Sequence, residues 1–253
     1  MTADSPPILS ARGLTMEFRG FAAVKDVALD VREGAIHALI GPNGAGKTTV
    51  FNLLTKFLKP TRGEIVFRGT TITGLQPAEV ARLGLVRSFQ ISAVFPHLSV
   101  LDNVRVALQR PSGLATQFWR SSRVLAGLDA RAHELIDAVN LSVYSDLPAV
   151  ELSYGRKRAL EIATTLALDP AMLLLDEPMA GMGHEDIGRV SDLIRRIAKG
   201  RTVLMVEHNL NVVSDLCDRV TVLARGEILA EGTYDEVSQN PQVREAYMGS
   251  EHE

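Results

Sequence analysis

The hydrophobic pattern changes period near residue 41, and the change predicts a strand, a loop and a helix in that order. Residues 35–40 form a nearly continuous apolar run, which is typical of a buried strand. After a glycine-rich segment, apolar side chains recur at the spacing of one helix face, at Val50, Leu53, Leu54, Phe57 and Leu58. This spacing predicts a helix that extends to Leu58.

The rest of the chain alternates strands with helices, apart from one mostly helical stretch. Hydrophobic runs predict strands at residues 27–31, 65–67, 172–175, 202–206, 220–224 and 227–230. Helical spacing separates the later strands, so we expect an α/β fold with a parallel sheet covered on both faces. The stretch from 88 to 150 is mostly helical and is expected to form an inserted subdomain. Residues 1–87 and 151–253 would then form the core of a single domain.

The segment between the predicted strand and helix fits the pattern G-x-x-x-x-G-K-[ST]. It consists of Gly41, Pro42, Asn43, Gly44, Ala45, Gly46, Lys47, Thr48 and Thr49. Glycines let the backbone wrap so that N–H groups face a phosphate, and the helix start adds its positive dipole end. Lys47 would reach the β- and γ-phosphates of ATP, and the Thr48 hydroxyl would bind Mg²⁺. The alternative is an ordinary glycine-rich turn.

A second candidate for this chemistry is the end of the predicted strand 172–175, where Asp176 and Glu177 follow four apolar residues. Parallel strands bring their carboxyl ends to one sheet edge, so both acids are expected beside the phosphate loop. Asp176 could hold Mg²⁺, and Glu177 could orient and deprotonate an attacking water. Without the loop, a buried strand followed by a solvated acidic turn would explain them equally well.

A third segment, Leu152-Ser153-Tyr154-Gly155, precedes a predicted helix, with Ser153 suited to the N-cap and Gly155 permitting close approach. Alone it is only a capped helix. The order of phosphate loop, Leu-Ser-x-Gly and Leu-Leu-Leu-Asp-Glu-Pro resembles the ATPase subunits of ABC transporters. The resemblance implies a P-loop NTPase core with a parallel sheet, an N-terminal antiparallel β-subdomain and a helical insert.

The resemblance also implies roles for three residues that the sequence alone would leave unassigned. Phe18 matches the aromatic residue that stacks on adenine, although a core Phe is the alternative. Gln90 resembles the glutamine that contacts Mg²⁺ and the attacking water, and a surface side chain is the alternative. His208 matches the histidine that senses the γ-phosphate, and a structural histidine is the alternative.

In this family two ATPase subunits meet head to tail, and each ATP lies between the phosphate loop of one and the Ser-x-Gly segment of the other. The resemblance therefore implies a second ATPase subunit, identical or homologous, and two membrane permease subunits. An extracytoplasmic solute-binding protein would act indirectly. A short permease helix is expected to contact residues 89–101. The chain would lie on the cytoplasmic face of the cell membrane.

Several stretches resemble the branched-chain amino-acid uptake type in particular, among them residues 152–163, 95–104, 207–209 and 231–249. Related systems that import urea or amides, or export lipopolysaccharide, stay open. The chain departs from the family at Gly183, where most members have Asp, which leaves communication between the two ATP sites open. His184, Glu185 or Asp186 could substitute, or could simply form an acidic helix start.

Composition limits the other possibilities. The chain has 27 basic and 30 acidic side chains, and this balance offers no basic face for nucleic acid. No apolar stretch approaches the ~20 residues of a membrane helix, and no export signal is expected. The one cysteine, Cys217, excludes an internal disulfide and is expected to be a small core residue rather than a reactive thiol. A soluble ABC ATPase of DNA repair or translation, or a regulator without turnover, would be the competing classes.

Overall fold

The computed structural model describes residues 6–88, 94–112 and 127–248. The chain divides into two compact units. The first comprises Met1–Arg87, Ala171–Pro178 and Ala198–Glu253, and the second comprises Ser88–Pro170 and Met179–Ile197.

The predicted strands follow one another along the chain, and they are joined by a 12-residue first strand and by short strands of two and four residues. In chain order they are β1 (Pro7–Phe18), β2 (Phe21–Arg32), β3 (Ile36–Ile40), β4 (Arg62–Phe67), β5 (Thr70–Thr71), β6 (Leu85–Ser88), β7 (Met172–Asp176), β8 (Thr202–Val206), β9 (Arg219–Ala224) and β10 (Glu227–Gly232). The helices are α1 (Lys47–Leu54), α2 (Pro77–Arg82), α3 (Val100–Gln109), α4 (Asp129–Ala138), α5 (Tyr154–Leu166), α6 (His184–Ile197), α7 (Leu210–Leu216), α8 (Tyr234–Gln239) and α9 (Pro241–Met248).

The first unit contains two sheets. One has the order β10-β9-β3-β8-β7-β6, in which β3 pairs in parallel with β8 and β9, and β7 pairs in parallel with β8. Every residue of β3, β7 and β8 is buried, as expected for central parallel strands covered on both faces. The other sheet, β2-β1-β4-β5, is antiparallel. Both features agree with the predicted core and β-subdomain.

The first helix is shorter than its hydrophobic spacing predicts. It ends at Leu54, and Phe57 lies beyond it with 51% of its surface exposed. The Thr55 hydroxyl donates to the Phe51 carbonyl at 2.7 Å, and Lys56 adopts a left-handed backbone with φ 65°. The predicted extension to Leu58 is therefore wrong, because the backbone reverses its hand at Lys56 and stops the helical hydrogen bonding.

The second unit is helical. Helix α3 packs against α4 and α5, and α5 packs against α6, around buried side chains that include Val104, Ile136, Leu160 and Ile194. The expected insert, 88–150, lies within this unit, which also holds α5 and α6, because α5 packs with α3 and α4 and α6 packs with α5. None of the helices in the described ranges has the length and apolar character needed to cross a membrane.

Cys217 is only partly buried, so the expected core position is not met, whereas its surroundings support the expectation of an unreactive thiol. Cys217 directly follows α7, and its sulfur lies 3.8 Å from the Met205 sulfur. Burial raises the pKa of the Cys217 thiol to about 12, so the nucleophilic thiolate is scarce at neutral pH.

Candidate functional site

Three neighbouring parallel strands deliver the predicted chemistry to one edge of the larger sheet. Strand β3 leads into the loop at Gly41, and strands β7 and β8 end at Asp176 and Val206, which are paired in register. The register of β3 on β8 brings Leu39 opposite Val206 as well. The carboxyl ends of the strands therefore meet at this edge, as the sequence predicts.

The glycines of the loop are required by close backbone approach. A Cβ at Gly41 would lie 2.0 Å from the Leu223 carbonyl oxygen, and one at Gly46 would lie 2.7 Å from the Ala23 carbonyl oxygen. Both glycines have positive φ, 152° and 104° respectively, which side chains rarely tolerate. The loop is thereby seated against β9 and β2, and its curvature is fixed.

The start of α1 is suited to an anion. Gly46 occupies the N-cap position in a left-handed conformation, and no side chain caps the helix. The first N–H groups of a helix have no intrahelical acceptor and lie at its positive dipole end. Thr48, in the first turn, has its side chain exposed at this end. This geometry fits a phosphate-binding loop, with the hydroxyl oxygen of Thr48 available beside the phosphate.

The side chain of Lys47 lies along the inside of the loop. It is 7% exposed, and its Nζ donates to the Gly41 carbonyl at 2.7 Å and to the Pro42 carbonyl at 2.9 Å. Burial lowers the pKa of Lys47, while the carboxylates of Glu177 and Asp176 oppose this effect. The Lys47 ammonium group thus lies near the carboxylates of Asp176 and Glu177. Its positive charge would attract a triphosphate to this edge of the sheet.

The acidic pair differs in environment. Asp176 is the last residue of β7 and is 3% exposed, whereas the side chain of Glu177 is 25% exposed. Glu177 adopts φ 44°, an uncommon conformation for a residue other than glycine that costs on the order of 1–3 kcal/mol. Its N–H donates to the Val206 carbonyl at 3.0 Å, which fixes the turn onto β8. The strained turn directs Glu177 away from the buried strand.

Glu177 and His208 meet directly. His208 Nε2 lies 2.8 Å from Glu177 Oε1, so an ionised carboxylate accepts a hydrogen bond from the imidazole. His208 lies two residues beyond the end of β8, and Glu177 lies directly after β7. The imidazole is 44% exposed. This pair places an acid–base couple, open to solvent, at the edge where the phosphate loop lies.

The remaining predicted residues lie elsewhere. Phe18 ends β1 at the tip of the β1–β2 hairpin and is 42% exposed, so the alternative of a core Phe is wrong. Gln90 lies outside the described residues. Ser153 occupies the N-cap position of α5, but its side chain makes no capping hydrogen bond, contrary to the cap expectation. A Cβ at Gly155 would lie 2.8 Å from Asp186 Cγ, so the group that approaches Gly155 in this structure is a side chain of α6.

Comparison with known proteins decides the family. The family model described as ABC transporter matches residues 24–180. The chain belongs to the ABC transporter family. A second model, described as branched-chain amino acid ATP-binding cassette transporter, matches residues 227–253.

Individual relatives cover nearly the whole length of this ABC protein. It is 40% identical to the high-affinity branched-chain amino acid transport ATP-binding protein LivG of Salmonella typhimurium, over 97% of this chain and 99% of the relative. It is also 40% identical to BraF, of the same description, from Pseudomonas aeruginosa, with the same coverage. A solved ATP-binding cassette of an ABC transporter in its ADP conformation superposes with a TM-score of 0.83 at 30% identity, covering 96% and 98% of the two chains. The predicted fold class, family and ATPase activity are confirmed.

Two further residues contact the site and were not predicted from the sequence, Glu207 and Tyr247. The Glu207 carboxylate is buried and accepts from the backbone N–H groups of His208 at 3.0 Å and Asn209 at 3.3 Å, which positions the histidine. The phenol of Tyr247, in α9, is hydrogen-bonded to the Gly41 backbone, and burial raises the pKa of Tyr247 to about 12. An acid directly after a buried strand was a usable signal for Glu207. No local signal linked Tyr247 to a loop two hundred residues earlier.

Proposed function

We propose that this chain is the ATP-binding and ATP-hydrolysing subunit of an importer of branched-chain amino acids. The observation that carries the hydrolytic part is the 2.8 Å contact of Glu177 with His208 at the edge that holds the phosphate loop. The cargo rests on the LivG and BraF relatives, both 40% identical and both described as branched-chain amino acid transport proteins. The match of the C-terminal segment to the branched-chain transporter model supports the same cargo.

The residues of the sheet edge divide the chemistry between them. Backbone N–H groups of residues 43–49 and the Lys47 ammonium bind the β- and γ-phosphates and offset the negative charge that they carry in the transition state. Glu177 holds the attacking water and takes its proton as general base. His208 keeps the Glu177 carboxylate oriented and reaches toward the γ-phosphate. Phe18, exposed at its hairpin tip, offers a face for adenine.

The donors present fit Mg²⁺. This ion prefers oxygen ligands and usually takes only one or two from the protein, with substrate phosphates and water completing its shell. Thr48 supplies an exposed hydroxyl and Asp176 a buried carboxylate, and the family resemblance adds Gln90. Among residues 6–88, 94–112 and 127–248 no group of three or more His, Cys, Asp or Glu side chains could hold a metal. The metal would therefore bind together with ATP, and when bound it would neutralise phosphate charge.

A second ATPase subunit completes each site in this proposal. Ser153 and Gly155 begin a helix whose first N–H groups suit a phosphate, and the Ser153 side chain is exposed and makes no bond to its own helix. These groups would contact the ATP bound by the phosphate loop of the partner ATPase. ATP would then hold the two chains together, and hydrolysis would release them.

The membrane permeases would contact the second unit near residues 94–101. Exposed apolar side chains of two neighbouring segments lie there, Phe95, Leu98, Leu147 and Val150. Backbone bonds from Ala149 N–H to the Leu98 carbonyl and from Val150 N–H to the Pro96 carbonyl hold the segments side by side. An amphipathic permease helix would cover this patch, and residues 89–93 of the expected contact lie outside the described residues. The chain would thereby sit on the cytoplasmic face of the membrane, and a solute-binding protein would act through the permeases.

Two experiments test the proposal at different levels. Lys47→Ala should abolish ATP hydrolysis by the assembled transporter, whereas Lys199→Ala, which changes an exposed lysine between α6 and β8, should leave it unchanged. In vesicles containing the permeases, binding protein loaded with leucine should stimulate hydrolysis. A response only to urea, amides or lipid would redirect the cargo to the related systems. Absence of permeases from the purified complex would favour a soluble ABC ATPase.

A further inference from the structure

A buried ion pair lies directly behind the proposed metal ligand. Arg87 Nη2 lies 2.5 Å from Asp176 Oδ2, and the two side chains are only 9% and 5% exposed. Removing two charges from water costs several kcal/mol per ion, and such a pair persists only where further bonds and good geometry offset that cost. The pair is therefore a constrained arrangement rather than a surface contact.

The other arm of the guanidinium binds the phosphate-loop helix. Arg87 Nη1 donates to Asn52 Oδ1 at 2.5 Å, and Asn52 lies in α1. The guanidinium carbon also lies 5.7 Å from the centre of the Phe51 ring, on the same helix. One planar group, supplied by β6, thus links the helix that follows the phosphate loop to the end of β7. Lysine, with a single point charge, could not make both bonds in this geometry.

We propose that Arg87 is a positioning residue that fixes the Asp176 carboxylate relative to the phosphate-loop helix, so that metal and phosphates are bound in one geometry. It acts by holding Oδ2 of Asp176 with one nitrogen and Asn52 with another. The inference rests on the proposed role of Asp176 as a Mg²⁺ ligand. Partners that orient a metal ligand typically contribute about 10–100-fold to metal affinity.

The test separates metal binding from nucleotide binding. A fluorescent ATP analogue is bound to the purified chain in EDTA and then at increasing Mg²⁺. For Arg87→Gln, the Mg²⁺ concentration that gives half of the metal-dependent increase in affinity should rise about tenfold or more. Binding in EDTA should stay within about twofold of wild type. Arg87→Lys should rescue part of the shift, and Asn52→Ala, which removes only the helix arm, should give a smaller shift in the same direction.

Two controls define the outcomes. Arg82→Gln removes an equal charge from an exposed position of α2 and should leave the Mg²⁺ dependence unchanged. Asp176→Asn should shift the Mg²⁺ dependence at least as far as Arg87→Gln.

If Asp176→Asn has no effect, the proposed metal role of Asp176 fails. If Asp176→Asn shifts the Mg²⁺ dependence and the Arg87 variants do not, only the positioning role of Arg87 fails. Equal weakening with and without Mg²⁺ would show a structural role and overturn the proposal. Should Arg87→Gln fail to melt cooperatively, Arg87→Lys and Asn52→Ala decide the question.

Discussion

The phosphate-loop edge of the first unit and the Ser153 end of α5 in the second unit are both starts of helices that suit a phosphate, yet they are built differently. At the first, Lys47 is buried and bonded to its own loop, and Glu177 contacts His208. At the second, the Ser153 side chain is exposed and makes no bond to the helix it begins. Near it, a Cβ at Gly155 would lie 2.8 Å from Asp186 Cγ, and the Arg156 guanidinium carbon lies 4.2 Å from the centre of the Tyr144 ring.

The difference indicates a division of labour. Acid–base chemistry needs groups held at hydrogen-bond distance, and the residues that would activate water follow the ends of adjacent strands of one sheet. A helix start that only donates N–H and hydroxyl groups needs no such support. A second chain that binds with ATP and dissociates after hydrolysis can supply this helix start, which is the role proposed for Ser153.

The largest effect is expected at the sheet edge. Glu177→Gln keeps the size and hydrogen bonding of the side chain but removes the base, so ATP hydrolysis should fall about a thousandfold. ATP affinity should stay within a few-fold, because the phosphate loop is untouched. Steady-state hydrolysis and equilibrium binding of a fluorescent ATP analogue measure the two quantities.

Glu33→Gln, at an exposed turn outside the sheet edge, provides the matched control and should have wild-type activity. Mg-ATP should also trap the Glu177→Gln chain as a dimer with its proper partner subunit. Hydrolysis at more than a tenth of the wild-type rate would remove Glu177 from the role of base, and failure to dimerise would count against the shared site.

The contrast also explains what the sequence could predict. The loop 41–49 and the Asp176-Glu177 pair were recognisable because each is a local pattern beside a buried strand. The contact of Arg87 with Asp176 and of Tyr247 with Gly41 joins segments far apart in the chain, and these depend on strand order and side-chain packing. Local rules failed where the backbone turns left-handed, as at Lys56, because no Gly or Asn marks that position.

At the Ser153 end, the loss should appear only when two chains meet. Ser153→Arg places a bulky cation at the helix start and should reduce hydrolysis by the assembled transporter about a hundredfold, because donors to a transition-state anion contribute on this scale. ATP affinity of the isolated chain should be unchanged. Val143→Arg, 84% exposed in the same unit, is the control and should leave both quantities at wild-type values. Weaker ATP binding by the isolated Ser153→Arg chain would instead place Ser153 in its own chain's site.

Acid should destabilise the first unit through His37. This residue is fully buried in β3, its Nε2 lies 2.8 Å from Thr221 Oγ1, and burial lowers the pKa of His37 from 6.5 to about 4. Between pH 6.5 and 4, His37 is therefore protonated in the unfolded chain but neutral in the folded chain. The free energy of unfolding falls as the pH falls through this window. The expected loss between pH 8 and pH 5 is about 2 kcal/mol.

Hydrogen exchange, corrected for its intrinsic pH dependence, should show this loss in peptides of β3 and β8. His37→Gln should flatten the dependence even if it lowers stability at every pH. If peptides of α5 lose protection first and β3 does not respond, the acid sensitivity belongs to the second unit and His37 is not its source.

A smaller effect is expected at Tyr247. Tyr247→Phe removes the hydrogen bond to the Gly41 backbone and keeps the ring, so the folded conformation of the phosphate loop should be destabilised by about 1 kcal/mol. We expect affinity for the ATP analogue to fall about three- to fivefold, with kcat nearly unchanged. Tyr234→Phe, on the neighbouring helix α8, is the control. An equal change in the two variants would mean that the C-terminal helices act on packing alone.

The smallest effect is expected at Gly183, where the sequence resemblance leads us to expect Asp. A Cβ there would have no heavy atom within 4 Å, and Gly183 is absent from the positive-φ glycines, so Gly183→Asp requires no rearrangement. Its carbonyl accepts the Ile187 N–H at 3.0 Å at the start of α6, where an added carboxylate is favoured by the helix dipole but repelled by Glu185 and Asp186. Stability should change by less than about 0.5 kcal/mol, and hydrolysis by the isolated chain by less than about twofold. In the proposed arrangement of two chains, any effect on communication between the two ATP sites should appear in the Hill coefficient of the assembled transporter. A changed hydrolysis rate in the isolated chain would show that Gly183 acts within one chain. Such a result would contradict the distinction between a sheet edge that is complete in one chain and a helix start that acts on a second chain.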